Sequence, residues 1–161
     1  MAMLAMKLAL IGLALQVAGD DLPKFSFGGV NAQDEMKLDN PVLAKCVGTE
    51  INGSCSLAIP SFADIRILSS IVAIKQGRLH ELFVNGTSAD YAQAIEALKA
   101  KYGKPSESYV NPVNGDVGQG MNRSSTWRFA DGFLICQVRD GEPQFILAFA
   151  SNRKLKPKID F

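Results

Sequence analysis

The sequence predicts an α+β fold in which a mainly antiparallel sheet carries one principal helix on one face. Two neighbouring runs, 65–74 and 78–84, are strand-like, and the short Lys75-Gln76-Gly77 connection joins them as a hairpin. A clearly patterned helix lies between Thr87 and Gly103, and three further strand-like segments close the chain as a meander. The order of hairpin, helix and meander is typical of a helix layered on a sheet.

Residues 1–19 are predicted to be a secretory signal peptide. Lys7 is the only charged residue before Asp20, an apolar stretch follows at 8–15, and Val17 and Gly19 suit the −3 and −1 positions of a cleavage site. A retained N-terminal membrane anchor is the alternative, but a spanning helix needs about 20 predominantly apolar residues and this run is shorter. We therefore expect a periplasmic or secreted protein.

The remaining chain divides into a linker with a first strand at 20–31, a single α+β domain at 32–152 and a basic tail at 153–161. The domain is long enough to bury a substantial core. The formal net charge of +1 argues against a nucleic-acid-binding protein, which needs a basic face. We expect the tail to be a solvated terminus, with contact to anionic lipid or an acidic partner as the alternative.

Cys46 and Cys55 are predicted to form a disulfide. They flank a turn-rich octet that can bring the two sulfurs together, and disulfides persist in the oxidising compartments that an exported protein enters. Two buried thiols are the alternative. Cys136 lies inside the strand-like run 133–138 and is expected to be buried and unpaired. The pair has no accompanying Cys or His ligands, so it does not indicate a zinc site.

The first part of the domain has weaker patterns. Residues 25–27 are predicted to start a strand that Gly28-Gly29 ends, and 31–44 has helix-compatible spacing that Pro41 limits to short pieces. In the run 65–74 both faces are apolar, which predicts an inner strand covered on both sides or a bulge near Ser69-Ser70.

The helix has the most consistent local signals in the chain. Thr87 is the predicted N-cap, and Asp90 stands three positions on, as the acid of a capping box does. Gly103 suits the left-handed position after the last turn, and Pro105 prevents continuation. The apolar stripe predicted to face the sheet comprises Tyr91, Ile95, Leu98 and Tyr102.

Segment 106–125 is polar and rich in Gly, Asn and Pro, and we expect a long functional or mobile connection there, with 108–110 pairing as a strand. Turns at 130–132 and 140–143 separate the strands that follow. The three predicted strands of the meander are 126–129, 133–139 and 144–150.

These features together resemble small exported proteobacterial proteins of uncharacterised families over roughly 27–151. The shared features are the Cys46/Cys55 pair, Gly77-Arg78-Leu79, the helix end Lys101-Tyr102-Gly103-Lys104-Pro105, the segment from Asn111 to Gly115, Trp127 and the last strand at 147–151. The layout is also similar to helix-on-sheet envelope modules, namely small outer-membrane assembly lipoproteins and the β-lactamase inhibitor protein, which bind other proteins. The resemblance implies a periplasmic binding module and no catalytic residue. This chain lacks the acylated Cys of the lipoprotein version.

The chain offers few groups for chemistry. His80 is its only histidine, so a two-His metal site is excluded and a packed strand histidine is favoured over a general base. Ser124 and Ser125 lack an identifiable base and third group. The glycine-rich segment 115–120 lacks the Lys-Ser/Thr of a phosphate-binding loop and is interpreted as a flexible turn. We predict no catalytic residue, no metal and no cofactor.

The expected function is therefore non-enzymatic binding of a protein in the cell envelope, as an inhibitor, an immunity factor or an envelope-assembly accessory. The alternatives are a small hydrolase-like enzyme that uses Ser124, Ser125 or His80, and a small-molecule carrier that uses the space between helix and sheet. Trp127 also suits core packing. The candidate binding residues are Tyr109, Asn111, Asn114, Gln119, Asn122, Arg123, Trp127 and Arg128.

Overall fold

The computed structural model describes residues 22–27, 30–32, 52–57, 59, 61–115 and 118–152. Most of them lie in antiparallel strands, and a helix packs against the sheet, as the sequence predicts. The described elements are β1 (Ser26–Phe27), β2 (Val30–Asn31), β3 (Asn52–Ser56), β4 (Ser61–Phe62), β5 (Ile65–Lys75), β6 (Arg78–Thr87), α1 (Tyr91–Tyr102), β7 (Glu107–Gly115), β8 (Gly118–Phe129), β9 (Gly132–Arg139) and β10 (Gln144–Ser151).

The main sheet has the strand order β3-β5-β6-β10-β9-β8-β7, and β4 pairs with β5. Strands β1 and β2 form a separate two-stranded ladder. The chain leaves β6 in the interior of the sheet, passes through α1 and enters β7 at the far edge. It then returns strand by strand until β10 pairs with β6. This path takes α1 across one face of the sheet.

The hairpin of β5 and β6 confirms the first predicted strand pair. Lys75 pairs with Arg78, and the two turn residues have positive φ, 53° at Gln76 and 68° at Gly77. Two positive φ values are the mark of a type I′ turn, whose twist matches that of the flanking strands. The register shifts between Ile67 and Ser69, so the bulge predicted near Ser69-Ser70 is confirmed.

Helix α1 ends as predicted but begins differently. A 3₁₀ turn over Ser88–Asp90 precedes it, and Thr87 Oγ1 donates to the carboxylate of Asp90. Neither side chain caps a backbone N–H, so the predicted N-cap bond is wrong: the two side chains satisfy each other instead. At the other end Gly103 has φ 81°, and its N–H donates to the Lys99 carbonyl at 2.8 Å.

The predicted long connection at 106–125 is wrong, because this segment forms most of a β-hairpin. Pairing runs without interruption from Glu107 opposite Thr126 to Gly115 opposite Gly118. Strand β7 lies at the edge of the sheet, where a proline such as Pro112 is tolerated because one side of the strand makes no ladder bonds. The final meander therefore has four strands rather than three.

The core lies between α1 and one face of the sheet, and the predicted first strand at 25–27 contributes to it. The Phe25 ring stacks on that of Phe149 with centroids 3.8 Å apart, and it meets Phe129 edge-on at 5.5 Å. The Phe25 N–H donates to Asp131 Oδ1 at 2.9 Å, and the Tyr102 hydroxyl donates to the Ser26 carbonyl. Residues 25–27 are thus fastened to the domain by side chains as well as by backbone.

Several predictions fall wholly or partly outside the described residues. These are the signal peptide at 1–19, the short helical pieces at 31–44, Cys46 and the basic tail at 153–161. The Cys46–Cys55 disulfide therefore stays a prediction, with Cys55 half-buried on β3. Cys136 is buried and unpaired, as expected. Among the described helices, none is both long and apolar enough to cross a membrane.

Candidate binding face

The two faces of the sheet differ sharply in burial. On the helix side, one register row joins Val72, Leu82, Phe149, Leu134 and Trp127 across five strands, and all five side chains are buried. The opposite face is exposed to solvent at its centre, and we call it the open face. Such a face of an antiparallel sheet is ordinarily polar. Here it is not.

An apolar patch occupies the centre of the open face. The register places Ile71, Phe83, Ala148 and Ile135 side by side on β5, β6, β10 and β9. Ile146 lies in the row on one side, and Phe133 and Ala150 lie in the row on the other. We define the apolar patch by its five large members, which are Ile71, Phe83, Phe133, Ile135 and Ile146.

The size of the patch is relevant to its role. Ile71, Phe83, Phe133 and Ile146 are 45%, 42%, 41% and 38% exposed. At ~200 Å² for a large apolar side chain, these four leave about 300 Å² of apolar surface in water. That lies at the scale of the largest patch on a typical monomer, which is often functional, and it could form the centre of a standard interface of ~800 Å² per partner.

Four of the residues predicted from sequence lie on the open face beside this patch. The register places Arg128 next to Phe133, and it places Tyr109, Asn111 and Asn122 on the same face of the β7–β8 hairpin. Tyr109 donates to Glu107 Oε2 at 2.6 Å, and Arg128 forms an ion pair with the same carboxylate. The two hydrogen bonds lower the pKa of Glu107, with that from Tyr109 the larger cause.

A groove of about 490 Å³ continues the open face toward the β9–β10 turn. Asn122 and Ile146 lie on its wall, so the groove joins a predicted polar residue to the apolar patch. Its other lining residues include Gln137, Arg139, Glu142 and Gln144. The open face therefore has an apolar centre and a polar margin, which is the usual anatomy of a protein interface.

The other predicted binding residues lie elsewhere. Trp127 is only 2% exposed and its Nε1 donates to the Gly103 carbonyl at 2.9 Å, so it belongs to the core and is unavailable to a partner. Arg123 lies on the helix side, where it pairs with Asp140 at 3.1 Å. Asn114 and Gln119 are opposite each other in the ladder, and their side chains lie outside the described residues.

Sequence reasoning missed the apolar patch itself. The available signal was the run 65–74, in which both faces are apolar, together with Phe83 and Phe133 at positions that alternate with buried residues. The sequence offers two interpretations of the first signal, a strand covered on both sides or a bulge, and the bulge is present. The run also marks an uncovered apolar surface, since Ile71 is among the most exposed large apolar side chains described.

The residues considered for chemistry are not brought together. Strands β10 and β9 lie between β6, which carries His80, and β8, which carries Ser124 and Ser125. At ~4.8 Å per strand, three strand spacings alone separate the two sites by about 14 Å, and His80 also lies five positions along β6 from Asn85, which is in the row of Ser124, so a proton cannot pass directly. His80 lies 3.8 Å from Glu81, and buried Ser125 is hydrogen-bonded to Ser108 at 3.1 Å.

Burial also accounts for the character of the remaining polar groups in the core. Burial raises the pKa of the Cys136 thiol to about 12, which leaves it protonated and inert at neutral pH. Burial is likewise the main cause that raises the pKa of Tyr91, and a hydrogen bond to Ser125 opposes it. In the described part of the chain, no group of three His, Cys, Asp or Glu residues could hold a metal ion.

The interface between helix and sheet, where a carrier would hold a ligand, is packed. Ala94 and Leu98 of α1 are buried in the same cluster as Trp127 and Leu134 of the sheet. Tyr91, Ile95 and Tyr102 pack against the edge of that cluster, so the predicted apolar stripe does face the sheet.

No protein-family model, curated protein or solved structure matches this chain. The resemblance to small exported proteobacterial proteins therefore stays a prediction. The function is inferred below from the residues and geometry of the open face.

Proposed function

We propose that the protein is an exported envelope protein that binds another protein through the open face and catalyses no reaction. Inhibitors, immunity factors and envelope-assembly accessories act in this way. The observation that carries the proposal is the apolar patch at the centre of a sheet face whose reverse side already supplies the core. We further propose that α1 is the principal helix of the chain and serves as the support of this sheet.

The placement of the patch favours protein binding for a physical reason. Large apolar side chains in water cost free energy that burial recovers, at roughly 25 cal/mol per Å². Phe83 and Ile71 lie on the interior strands β6 and β5, where β-propensity alone would be satisfied by Thr or Val with less apolar surface. A partner that covers the patch recovers the free energy that its exposure costs.

The strand that carries the centre of the patch is anchored in the core. Directly behind Phe83 on β6, the side chains of Leu82 and Val84 are fully buried against the core. An ordered surface loses little conformational freedom on association, so more of the burial energy appears as affinity.

A capture experiment with matched variants tests the proposal. The exported protein is cross-linked in envelope extract as wild type, as Phe83→Ser and as Val110→Ser. Val110 is a suitable control because it is 60% exposed and lies on the helix side of β7, away from the open face. We expect a reproducible cross-linked protein that Phe83→Ser abolishes and Val110→Ser retains.

The proposal is wrong if no specific cross-link forms, or if Phe83→Ser forms it as well as the wild type does. Circular dichroism and thermal unfolding of each variant check that the fold is intact. Ile146→Ser serves as a second open-face variant, since Ile146 lies in the neighbouring row on β10.

A further inference from the structure

We infer that the segment bound by the open face is acidic and presents apolar side chains between its carboxylates. This rests on the proposed function and adds the chemistry of the partner to it. The charge distribution of the open face supports the inference.

The register assigns each charged strand residue to one face of the sheet. Two acidic residues, Glu81 and Glu107, lie on the open face. Five basic residues share that face, namely Arg66, Lys75, Arg78, Arg128 and Arg139. Counted over the described strands, the open face thus has a surplus of three positive charges, and a surplus of two if Glu142 in the adjacent turn is included. The whole chain has a net charge of only +1.

The acidic residues are already engaged by groups of the protein itself. Glu107 accepts from Tyr109 and pairs with Arg128, and Glu81 lies 3.8 Å from His80. A partner therefore meets a Glu107 carboxylate whose charge Arg128 already compensates, while Lys75 and Arg139 form no ion pair with a described residue. The charges of Lys75 and Arg139 are therefore available for complementary acidic groups.

The basic groups also surround the apolar patch rather than interrupt it. Lys75 and Arg78 lie at the β5–β6 turn, beyond Ala73 and Glu81. Arg139 lies at the opposite end, two positions along β9 from Gln137. The complementary ligand has apolar side chains for the centre and carboxylates for the margin, where charge governs the rate of association and the choice of partner.

The same distribution disfavours a second copy of the chain as the occupant. Two open faces stacked on each other would bring two positive surpluses together, and like charges across an interface cost free energy. An acidic segment meets no such repulsion. The inference therefore commits to a different protein as the partner.

The test uses a phage-displayed library of random peptides, selected on the exported protein and counter-selected on the Phe83→Ser variant. We expect the enriched peptides to combine Asp and Glu with Phe, Leu, Ile or Trp. A synthetic enriched peptide should bind about tenfold more weakly to Arg139→Glu or Lys75→Glu, and should weaken as salt is raised, as for complementary charges at a margin. Lys104→Glu is the matched control, because Lys104 is exposed beyond the C-terminus of α1 and off the open face.

The outcomes separate this inference from the proposed function. If binding is lost in Phe83→Ser but unchanged in both charge reversals, or if the enriched peptides are neutral or basic, the acidic partner is wrong and the binding face stands. If binding survives Phe83→Ser and Ile146→Ser, the binding face is wrong as well. The inference of an acidic partner is also wrong if no enriched peptide depends on Phe83 for binding. It is equally wrong if the wild type is a dimer that Phe83→Ser dissociates.

Discussion

Removal of the Phe25 ring should destabilise the protein by about 3–5 kcal/mol, although the sequence places Phe25 only at the start of a short predicted strand. Phe25 is fully buried, stacked on Phe149 and edge-on to Phe129. Burial of a phenylalanine side chain is worth about 1.5–3 kcal/mol, and each aromatic pair adds ~0.5–1.5 kcal/mol. The cavity left in Phe25→Ala adds to these losses, because the strands around it relax only partly.

The assay is urea unfolding at equilibrium, followed by the fluorescence of the only tryptophan, Trp127, which lies in the same core. Phe25→Leu should cost less than Phe25→Ala, since it keeps most of the apolar volume. Lys24→Ala is the control, because Lys24 is exposed and should change the free energy of unfolding by less than ~0.5 kcal/mol. A Phe25→Ala cost below ~1 kcal/mol would refute the assignment of residues 25–27 to the core.

Three further predictions concern backbone strain, close packing and ionisation. Ala63→Gly should raise the free energy of unfolding by about 0.5–1 kcal/mol in the same assay. Ala63 has φ 49°, and a non-glycine residue in the left-handed region costs ~1–2 kcal/mol, which the unfolded-state entropy of glycine partly offsets. A lower free energy of unfolding in Ala63→Gly, by a similar amount, would contradict this. Gly132→Ala should lower the free energy of unfolding by about 1–3 kcal/mol, since a Cβ there would lie 2.3 Å from the Ala150 carbonyl oxygen. An unchanged urea midpoint would contradict this, because it would mean that β9 and β10 move apart at no cost. Because burial raises the pKa of Cys136 from 9.0 to about 12, its alkylation at pH 9, read by mass spectrometry of its peptide, should be about 500-fold slower in the folded than in the unfolded protein. The same pKa shift sets how stability depends on pH. Between pH 9 and 12 the unfolded thiol loses its proton while the folded one keeps it, so the free energy of unfolding should fall as pH rises. Cys136→Ser should reduce the slope of that fall.

Local sequence signals were sufficient to predict the elements whose geometry depends only on residues that are neighbours in the chain. The β5–β6 hairpin needs only alternating residues and a turn that accepts positive φ, and Gln76-Gly77 provides it. The end of α1 needs only a glycine at position 103 and a proline soon after. These features depend on neighbours in sequence, and their boundaries in the structure agree with the predicted ones to within three residues.

Signals failed where the partner is distant along the chain. The hairpin of β7 and β8 is polar and contains Pro112, and it forms because β9 extends the ladder on one side. Phe25 is a core residue because its ring stacks on Phe149 and its N–H donates to Asp131. Both partners lie more than 100 positions away along the chain, so no local pattern reveals them. Trp127 is a core residue because Gly103 of the helix end accepts its N–H.

The sequence by itself determined the class of the fold, the helix α1 with its apolar stripe, the first hairpin and most of the later strands. Only the tertiary structure decided which side of each strand faces the helix, and therefore that Ile71, Phe83, Phe133 and Ile146 are exposed together. The physical reason is that apolar alternation marks two faces of a strand without saying which one is covered. Strand order and the position of α1 settle that question, because α1 covers one face and the patch lies on the other.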